Sequence, residues 1–289
     1  MDAMTRVEQA IDAAVVRATA RRSPPKLANA MHYALFPGGA RIRPRLCLAV
    51  AAACGDDIPS ITDAAAASIE ILHCASLVHD DLPCFDDAAV RRGKASVHRA
   101  FGEPLAVLVG DALIVLAFET LAREAACAPE RLTALLLTVG GSVGAPSGII
   151  AGQAWECESE VDLANYQRAK TGSLFMAATV TGAAAAGANP EPWRMLGDRL
   201  GEAYQVADDI RDVVANPEEM GKPIGQDEAL GRPSAVLELG LDGAIQRLKD
   251  FLTDAVDSIP PCTGRDELRE LIVVETKRFL PKDLSRRAA

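Results

Sequence analysis

Apolar residues recur at helical spacing along most of the chain. The first stripe predicts one buried helix face and comprises Val7, Ile11, Ala14, Val15 and Ala18. Ser23-Pro24-Pro25 then ends this segment, as prolines do just beyond a helix. No regular period-2 run and no convincing β-hairpin signal is found. The pattern therefore predicts an all-α protein.

Turn residues place the next elements. Phe36-Pro37-Gly38-Gly39 predicts a loop, and Pro44 lies near the start of a helix that runs to about Cys54. Another helix is expected from about Asp63 to Asp81. Further helices are predicted over 104–126, 130–142, 147–157, 162–187, 192–214, 234–258 and 265–279. No flexible Gly/Ser linker divides the chain, so we expect one domain over residues 1–289.

Composition narrows the class of protein. Apolar residues are 49% of the chain but aromatic residues only 4%, which suits packed, alanine-rich helices. A net charge of -10 argues against nucleic acid as a partner. Seven cysteines, an odd number without C-x-x-C spacing, favour a reducing cytoplasm over a disulfide framework. The uncharged stretches 133–155 and 172–189 are predicted to be buried helices, not membrane spans, and the N-terminus lacks the layout of a signal peptide.

Two acidic clusters follow apolar helical stretches. The first lies in LVHDDLPCFDDAAVRRG and contains Asp80, Asp81, Asp86 and Asp87. The second lies in YQVADDIRDV and contains Asp208, Asp209 and Asp212. Residues four apart on a helix share a face, and like charges there repel unless a cation neutralises them. In the first cluster, Pro83 should break the helix after Asp81, so that the following turn brings Asp86 back beside Asp80.

A hard divalent cation fits these carboxylates, because no set of cysteine or paired histidine ligands accompanies them. Magnesium suits one or two carboxylates together with substrate phosphate. An anionic substrate also needs cations, and the chain offers Arg41, Arg43, Arg91, Arg92, Lys170, Lys222 and Arg232. Three of their sequence contexts are unusual. Arg41 follows Gly38-Gly39-Ala40 at the start of a helix, and Arg91-Arg92-Gly93 follows the first acidic cluster. Lys170-Thr171-Gly172 interrupts an apolar helix.

Together these features resemble the trans-prenyl diphosphate synthases, and especially the geranylgeranyl diphosphate synthases of bacterial carotenoid pathways. The resemblance covers nearly the whole chain and runs in order through FPGGARIRP, LVHDDLPCFDDAAVRRGKASVH, VGDAL, AGQAWE, AKTGSLF, GEAYQVADDIRDV and GKPIGQD. It implies an antiparallel helical bundle around a central cavity, the isoprenoid synthase fold. It also implies a cytoplasmic homodimer whose interface includes long apolar helices such as 104–126.

The resemblance assigns roles to particular residues. Several Mg²⁺ ions would be held by Asp80, Asp81, Asp86, Asp208, Asp209 and Asp212. The allylic diphosphate would be bound by Arg91, Lys170, Thr171, Gln205 and Lys222, with Arg232 in the place of a second loop lysine. Isopentenyl diphosphate would be bound by Arg43, His73 and Arg92. Catalysis, the ionisation of the allylic C–O bond, would depend on both aspartate motifs and Lys170.

One departure from the family pattern concerns isopentenyl diphosphate. The opening motif is usually G-G-K-R-x-R-P, but Ala40 stands where the lysine belongs. Either Arg41 or Arg45 compensates, or the affinity for this substrate is lower; the sequence leaves both open. Glu156 stands where an aspartate is common after the Gly-Gln pair, a mild change.

The helix before the first motif is expected to set product length. Ala75 and Ser76 are small where fifteen-carbon family members with this motif type typically have an aromatic residue. Small residues leave the channel open for about one more helical turn, roughly 5 Å, comparable to one isoprene unit. Leu72 and Ile71 would form a deeper floor. The prediction is a twenty-carbon product, whereas close helix packing is the alternative explanation for the small residues.

Three other functions remain open at this stage. A farnesyl diphosphate synthase would make fifteen carbons. A terpene cyclase would share the metal and diphosphate chemistry but need not bind isopentenyl diphosphate. A non-catalytic subunit of a heteromeric synthase would tolerate eroded aspartate motifs, and both motifs are intact here.

Overall fold

The computed structural model describes residues 2–20, 23–214, 234–276 and Phe279. Helices in these ranges are α1 (Ala3–Thr19), α2 (Pro25–Leu35), α3 (Ile42–Cys54), α4 (Pro59–Asp80), α5 (Val97–Phe101), α6 (Glu103–Glu124), α7 (Pro129–Val143), α8 (Ile149–Ala154), α9 (Leu163–Gln167), α10 (Ser173–Ala185), α11 (Arg194–Val214), α12 (Ala235–Asp257) and α13 (Arg265–Thr276). A π-helical segment, Arg168–Gly172, joins α9 to α10. The prediction of an all-α fold is confirmed.

Two short strands interrupt the helices. Strands β1 (Val90–Arg91) and β2 (Lys94–Ala95) pair antiparallel, with Arg91 opposite Lys94. Arg92 and Gly93 form the turn with φ angles of 53° and 78°, so both central residues are left-handed. Such a two-residue turn matches the twist of a hairpin. The expectation of no hairpin was therefore wrong, because strands of two residues are too short to show period-2 alternation.

Helix α10 lies at the centre of the bundle. It packs against α3, α4, α7 and α11, and 12 of its residues are buried. Its small side chains let other helices come close. A Cβ at Gly182, for example, would lie 2.5 Å from the Cys47 carbonyl oxygen on α3. The uncharged stretch beginning at Gly172 is thus a core helix, as its composition predicts.

Within the described residues, two helices are long and apolar enough to cross a membrane by length and composition alone. In α4 the most apolar window is 78% buried inside the protein, as expected for a core helix. In the second, Glu103–Cys127, only 44% of the most apolar window is buried. Its outer side presents apolar residues, among them Val107, Leu108 and Val115, which are 42%, 54% and 60% exposed.

Candidate active site

The first aspartate motif begins where α4 ends. Asp80 is the last residue of this helix and Asp81 is its C-cap. The turn after Pro83 then returns to the helix end, where the Asp86 N–H donates to the Asp80 carbonyl oxygen at 3.0 Å. Burial, and next the charge of Asp80, raises the pKa of Asp86. The predicted helix break is confirmed, and it creates a pair of repelling acids that a cation would stabilise.

Asp81 has a different environment from Asp80. Its side chain is 4% exposed, and its Oδ1 accepts a hydrogen bond from Arg91 Nε at 2.9 Å and a second from Arg91 Nη2. Burial raises the pKa of Asp81, and the hydrogen bond from Arg91 opposes that effect. Asp80 instead lines a cavity and lies 3.7 Å from Arg91 Nη2. The geometry therefore shows Asp81 positioning Arg91, while its role as a metal ligand stays a prediction.

Lys170 connects the first motif to the π-helical segment. Its Nζ lies 3.4 Å from Asp80 Oδ1 and donates to Glu156 Oε1 at 2.5 Å. Burial lowers the pKa of Lys170, but Asp80, Tyr166 and Glu156 outweigh it and raise that pKa to about 12. The ammonium is thus charged at any physiological pH, as a diphosphate-binding cation must be.

Glu156 is a site residue that the sequence analysis missed. Besides Lys170, it accepts hydrogen bonds from Tyr166 Oη at 2.7 Å and Gln153 Nε2 at 2.8 Å. Gly152 allows this part of the chain to lie close to Lys170, since a Cβ there would be 2.5 Å from the Lys170 backbone nitrogen. The signal was present in the AGQAWE motif, where Glu156 was noted only as a mild departure.

The second motif is linked to the same segment through α11. Thr171 Oγ1 donates to Gln205 Oε1 at 2.9 Å, and Gln205 Nε2 donates to Asp209 Oδ1 at 3.0 Å. The other oxygen of Asp209 accepts the Ala235 N–H at 2.8 Å, and the residue is 3% exposed. Asp209 therefore fixes Gln205 and the start of α12, and its role as a metal ligand stays a prediction.

The remaining acids of the second motif are Asp208 and Asp212. Asp208 is 36% exposed and accepts a hydrogen bond from Arg211 at 3.0 Å, whereas Asp212 is 9% exposed. In the part of the chain that the structure describes, no three His, Cys, Asp or Glu side chains come close enough to enclose a metal ion alone. Magnesium commonly takes one or two carboxylates and completes its shell with water and phosphate oxygens. The carboxylates of Asp80, Asp86 and Asp208 are donors of the kind that such an ion takes.

A second cationic cluster contains the three residues predicted to bind isopentenyl diphosphate. Arg92 donates to the Gly38 carbonyl, and its Nη2 lies 3.4 Å from His73 Nε2. The Arg43 guanidinium stacks on Phe175 and Tyr204, 4.5 Å and 5.5 Å from the ring centroids. Its Nε is buried without a hydrogen-bond partner among the described residues. Burial lowers the pKa of Arg43, and Arg92 adds to that effect. A bound anion would offset the repulsion between Arg43 and Arg92 and would accept a hydrogen bond from the unpaired Arg43 Nε.

His73 is neutral in this cluster. Because arginine only donates, the nitrogen that faces Arg92 must accept, which leaves one proton on the ring. Burial, and then Arg43 and Arg92, lowers the pKa of His73 well below its usual 6.5. His73 therefore contributes hydrogen bonding to the site and not positive charge.

A pH effect on stability follows from the lowered pKa of His73. As pH falls through 6.5, the unfolded chain binds a proton there that the folded chain does not, so stability is lost on the acid side. Between about pH 7.5 and 5.5, the wild type should lose about 1 kcal/mol more unfolding free energy than His73→Gln, allowing for partial solvent screening. Urea denaturation at the two pH values measures this difference. His32→Gln, at a site 59% exposed, is the control, and an equal effect there would contradict the assignment.

Neither candidate can replace the lysine missing at position 40. Arg41 has a side chain 1% exposed and pairs with Glu70 at 2.7 Å and Glu8 at 2.8 Å. Arg45 pairs with Glu275 at 2.6 Å. Both guanidinium groups are already occupied within the protein, so compensation by Arg41 or Arg45 is excluded by this geometry. Lys222 and Arg232, the predicted loop cations, lie outside the described residues.

An apolar cavity of about 380 Å³ opens from Asp80 between α4, α6, α7 and α8. Its α4 wall carries Leu72, Ala75 and Ser76, all predicted. Ile71 does not line it and is fully buried elsewhere, which corrects that part of the predicted floor. The opposite wall was not anticipated and consists of Phe85, Ile114, Val143, Ile149, Ile150, Gln153, Ala154 and Cys157. An apolar cavity thus begins beside Asp80.

Comparisons with known proteins agree with this geometry. The model of the polyprenyl synthetase family matches residues 24–270. The geranylgeranyl diphosphate synthase of Cereibacter sphaeroides is 55% identical over 98% of this chain and 98% of its own length. That of Rhodobacter capsulatus is 54% identical over 95% of both. Among solved structures, an FPP/GFPP synthase from Zymomonas mobilis superposes with a TM-score of 0.79 at 30% identity, covering 94% of this chain and 97% of that one.

Proposed function

The chain belongs to the polyprenyl synthetase family, and from that premise we propose that it condenses isopentenyl diphosphate head to tail with allylic diphosphates, forming geranylgeranyl diphosphate. One observation carries the proposal. One pair of cations, Lys170 and Arg91, lies beside Asp80 at the apolar cavity, and a second pair, Arg43 and Arg92, lies around the neutral His73. Two diphosphates and one growing hydrocarbon chain need such an arrangement.

The allylic diphosphate is bound by Lys170, Arg91, Thr171 and Gln205. Asp80, Asp86 and Asp208 would hold Mg²⁺. Magnesium supplies charge stabilisation of the departing diphosphate. Lys170 and Arg91 act in the same direction, because their charges face the oxygens on which negative charge develops. Asp81 and Glu156 hold these two cations in place. The protein thus promotes ionisation by replacing the water around the substrate with fixed charges.

The reaction balances without a dedicated side-chain base. The C–O bond of the allylic substrate breaks, and its electron pair leaves with diphosphate. The double bond of isopentenyl diphosphate attacks the allylic cation and forms the new C–C bond. A proton is then lost from the adjacent carbon, with the released diphosphate as acceptor. The apolar walls at Leu72, Ala75 and Val143 keep water away from the cation.

Product analysis tests the proposal. The purified chain is incubated with labelled isopentenyl diphosphate, Mg²⁺ and each allylic starter of five, ten or fifteen carbons, and products are sized by chromatography. We expect a twenty-carbon main product from each starter. Accumulation at fifteen carbons would instead identify a farnesyl diphosphate synthase. Absence of elongation would favour a cyclase or a non-catalytic subunit, although the Arg43–His73–Arg92 cluster argues against both.

Restoring the missing lysine should strengthen binding of isopentenyl diphosphate. Ala40 is exposed in the loop before α3, so a longer side chain meets no steric obstacle. One added ion pair at an exposed position is worth about 1 kcal/mol, so Ala40→Lys should lower the KM for isopentenyl diphosphate about fivefold. Steady-state kinetics at low and high salt measure this change, which salt should weaken. Ala40→Gln is the matched control, and an equal effect of glutamine would contradict the electrostatic explanation.

We further propose a homodimer, with the outer side of α6 as part of its interface. Val107, Leu108 and Val115 are exposed there, and Leu137 on α7 is 72% exposed. An apolar surface of this kind is more typical of an interface than of a free surface. Sedimentation velocity of the purified chain tests this assembly. A cytoplasmic location and a role in supplying carotenoid synthesis remain predictions that follow from the family resemblance.

A further inference from the structure

Helix α6 contributes to the product channel through one position. Among its residues, all of which the structure describes, Ile114 lines the cavity. The side chain is half-buried and forms part of the same cavity wall as Leu72 and Ala75. Its neighbour Leu113 is fully buried but faces the core and does not line the cavity. Adjacent residues of α6 thus have different surroundings, which permits a matched comparison.

Two contacts between α4 and α6 show how far from the carboxylates Ile114 lies along the cavity. Near the carboxylates, the His79 ring packs against Gly110, where a Cβ would overlap the imidazole. At the far end, Ser68 Oγ donates to the Ala117 carbonyl oxygen at 2.8 Å. Ile114 lies between these contacts, level with the turn of α4 that contains Leu72 and Ala75. Beyond it, the Ser68–Ala117 contact closes α4 against α6.

The distance from the carboxylates agrees with a floor at this level. Leu72 precedes Asp80 by eight residues of α4, which corresponds to about 12 Å along the helix axis. Ala75 is nearer the carboxylates and too small to obstruct a chain. The large apolar side chains that α4 and α6 contribute to the cavity wall are Leu72 and Ile114.

We infer that Ile114 is a specificity-determining residue that, together with Leu72, ends growth of the prenyl chain. The inference rests on the proposed function, because it concerns where that product stops. Truncating isoleucine to alanine removes three carbons, and truncating leucine removes three more. An added isoprene unit brings five. Ile114→Ala alone should therefore admit a longer product in part, and the Leu72→Ala/Ile114→Ala pair should admit it fully.

The test measures product distribution at fixed substrate ratio. Ile114→Ala should raise the ratio of twenty-five-carbon to twenty-carbon product about tenfold, the order of discrimination that one or two methylenes give in an apolar pocket. The Leu72→Ala/Ile114→Ala variant should make twenty-five carbons its main product. Ile114→Phe fills the floor and should move the main product to fifteen carbons. The product ratio does not depend on the fraction of folded enzyme, so modest destabilisation leaves the test valid.

Leu113→Ala is the matched control, because it removes the same number of carbons from the adjacent residue on the core side of α6. It should leave the product distribution at the wild-type ratio. The inference is overturned if Ile114→Ala and Ile114→Phe both retain the wild-type distribution, or if Leu113→Ala changes it equally. These outcomes differ from failure of the proposed function, in which the wild type itself forms no elongated product.

Discussion

Asp80→Asn is expected to lower kcat by about 10²–10³-fold, the usual cost of removing one group that stabilises transition-state charge. Asp80 lines the cavity, lies 3.4 Å from Lys170 and 3.7 Å from Arg91, and is adjacent to Asp86. The amide keeps nearly the same shape as the carboxylate but removes its negative charge, which in the proposed function holds Mg²⁺. We therefore also expect a higher Mg²⁺ concentration for half-maximal activity. Steady-state assays across a Mg²⁺ titration measure both quantities.

Asp87→Asn is the matched control for this prediction. Asp87 belongs to the same motif, but its side chain is 54% exposed and pairs with Arg99 at 3.0 Å, on the outside of the turn. Its substitution should change kcat less than about threefold, as expected for an exposed ion pair. An equal loss of kcat in both variants would mean that the aspartates of this motif support only its local structure. Full activity of Asp80→Asn would remove the first aspartate motif from the mechanism.

Ala75→Tyr is expected to move the main product from twenty to fifteen carbons. Ala75 is 1% exposed and lines the cavity between Asp80 and Leu72, so an aromatic ring there occupies the channel above its natural floor. The shift should be graded: Ala75→Ser keeps the wild-type distribution and Ala75→Leu gives a mixture. Chromatography of the products measures the shift. An overpacked variant is also expected to lose about 1–3 kcal/mol of stability, which thermal unfolding reports separately.

Unchanged product length in Ala75→Tyr would show that the channel does not follow α4. If Ala75→Tyr shortens the product while the Ile114 variants leave it unchanged, α4 alone sets the length. If substitutions on both helices change the product length, α4 and α6 together form the constriction that stops chain growth. The two series therefore distinguish which wall of the cavity determines specificity.

Most of the fold was predictable because long helices with a buried face leave a clear period in the sequence. The helices over 104–126, 130–142 and 192–214 lie within a few residues of α6, α7 and α11. Helix α2 was not anticipated, although the Pro24-Pro25 pair that ends the first segment also begins this helix. Proline is favourable at the first helical position, since the N–H it lacks would have no partner there.

The site was predictable only in part, because long-range pairings leave no local pattern. The motifs placed Asp80, Lys170, Arg43, His73 and Arg92 in the site, and the structure brings them together in two clusters. The sequence alone could not show that Arg91 engages Asp81, or that Asp209 engages the backbone of Ala235, 26 residues away.

Burial of a cation was equally unpredictable. Arg41 stands in a motif that suggests substrate binding, and its partners Glu8 and Glu70 are 33 and 29 residues away in the chain. An arginine buried between two carboxylates is indistinguishable in sequence from one that awaits an anion. The opposite wall of the channel was missed for a related reason: its apolar residues look like ordinary core positions until a cavity is found beside them.

The hairpin of β1 and β2 has a geometric consequence for the bond that forms. Arg91 and Arg92 are consecutive residues, yet the first reaches Asp80 and Asp81 while the second reaches His73 and Gly38. Arg91 ends β1 and Arg92 begins the left-handed turn, so the two side chains leave the chain in different directions. One peptide unit, about 3.8 Å between Cα atoms, therefore separates the backbone positions of the two arginines that we propose to bind the two reactants. Under that proposal, movement of the surrounding helices cannot separate these two backbone positions, because a covalent bond joins them.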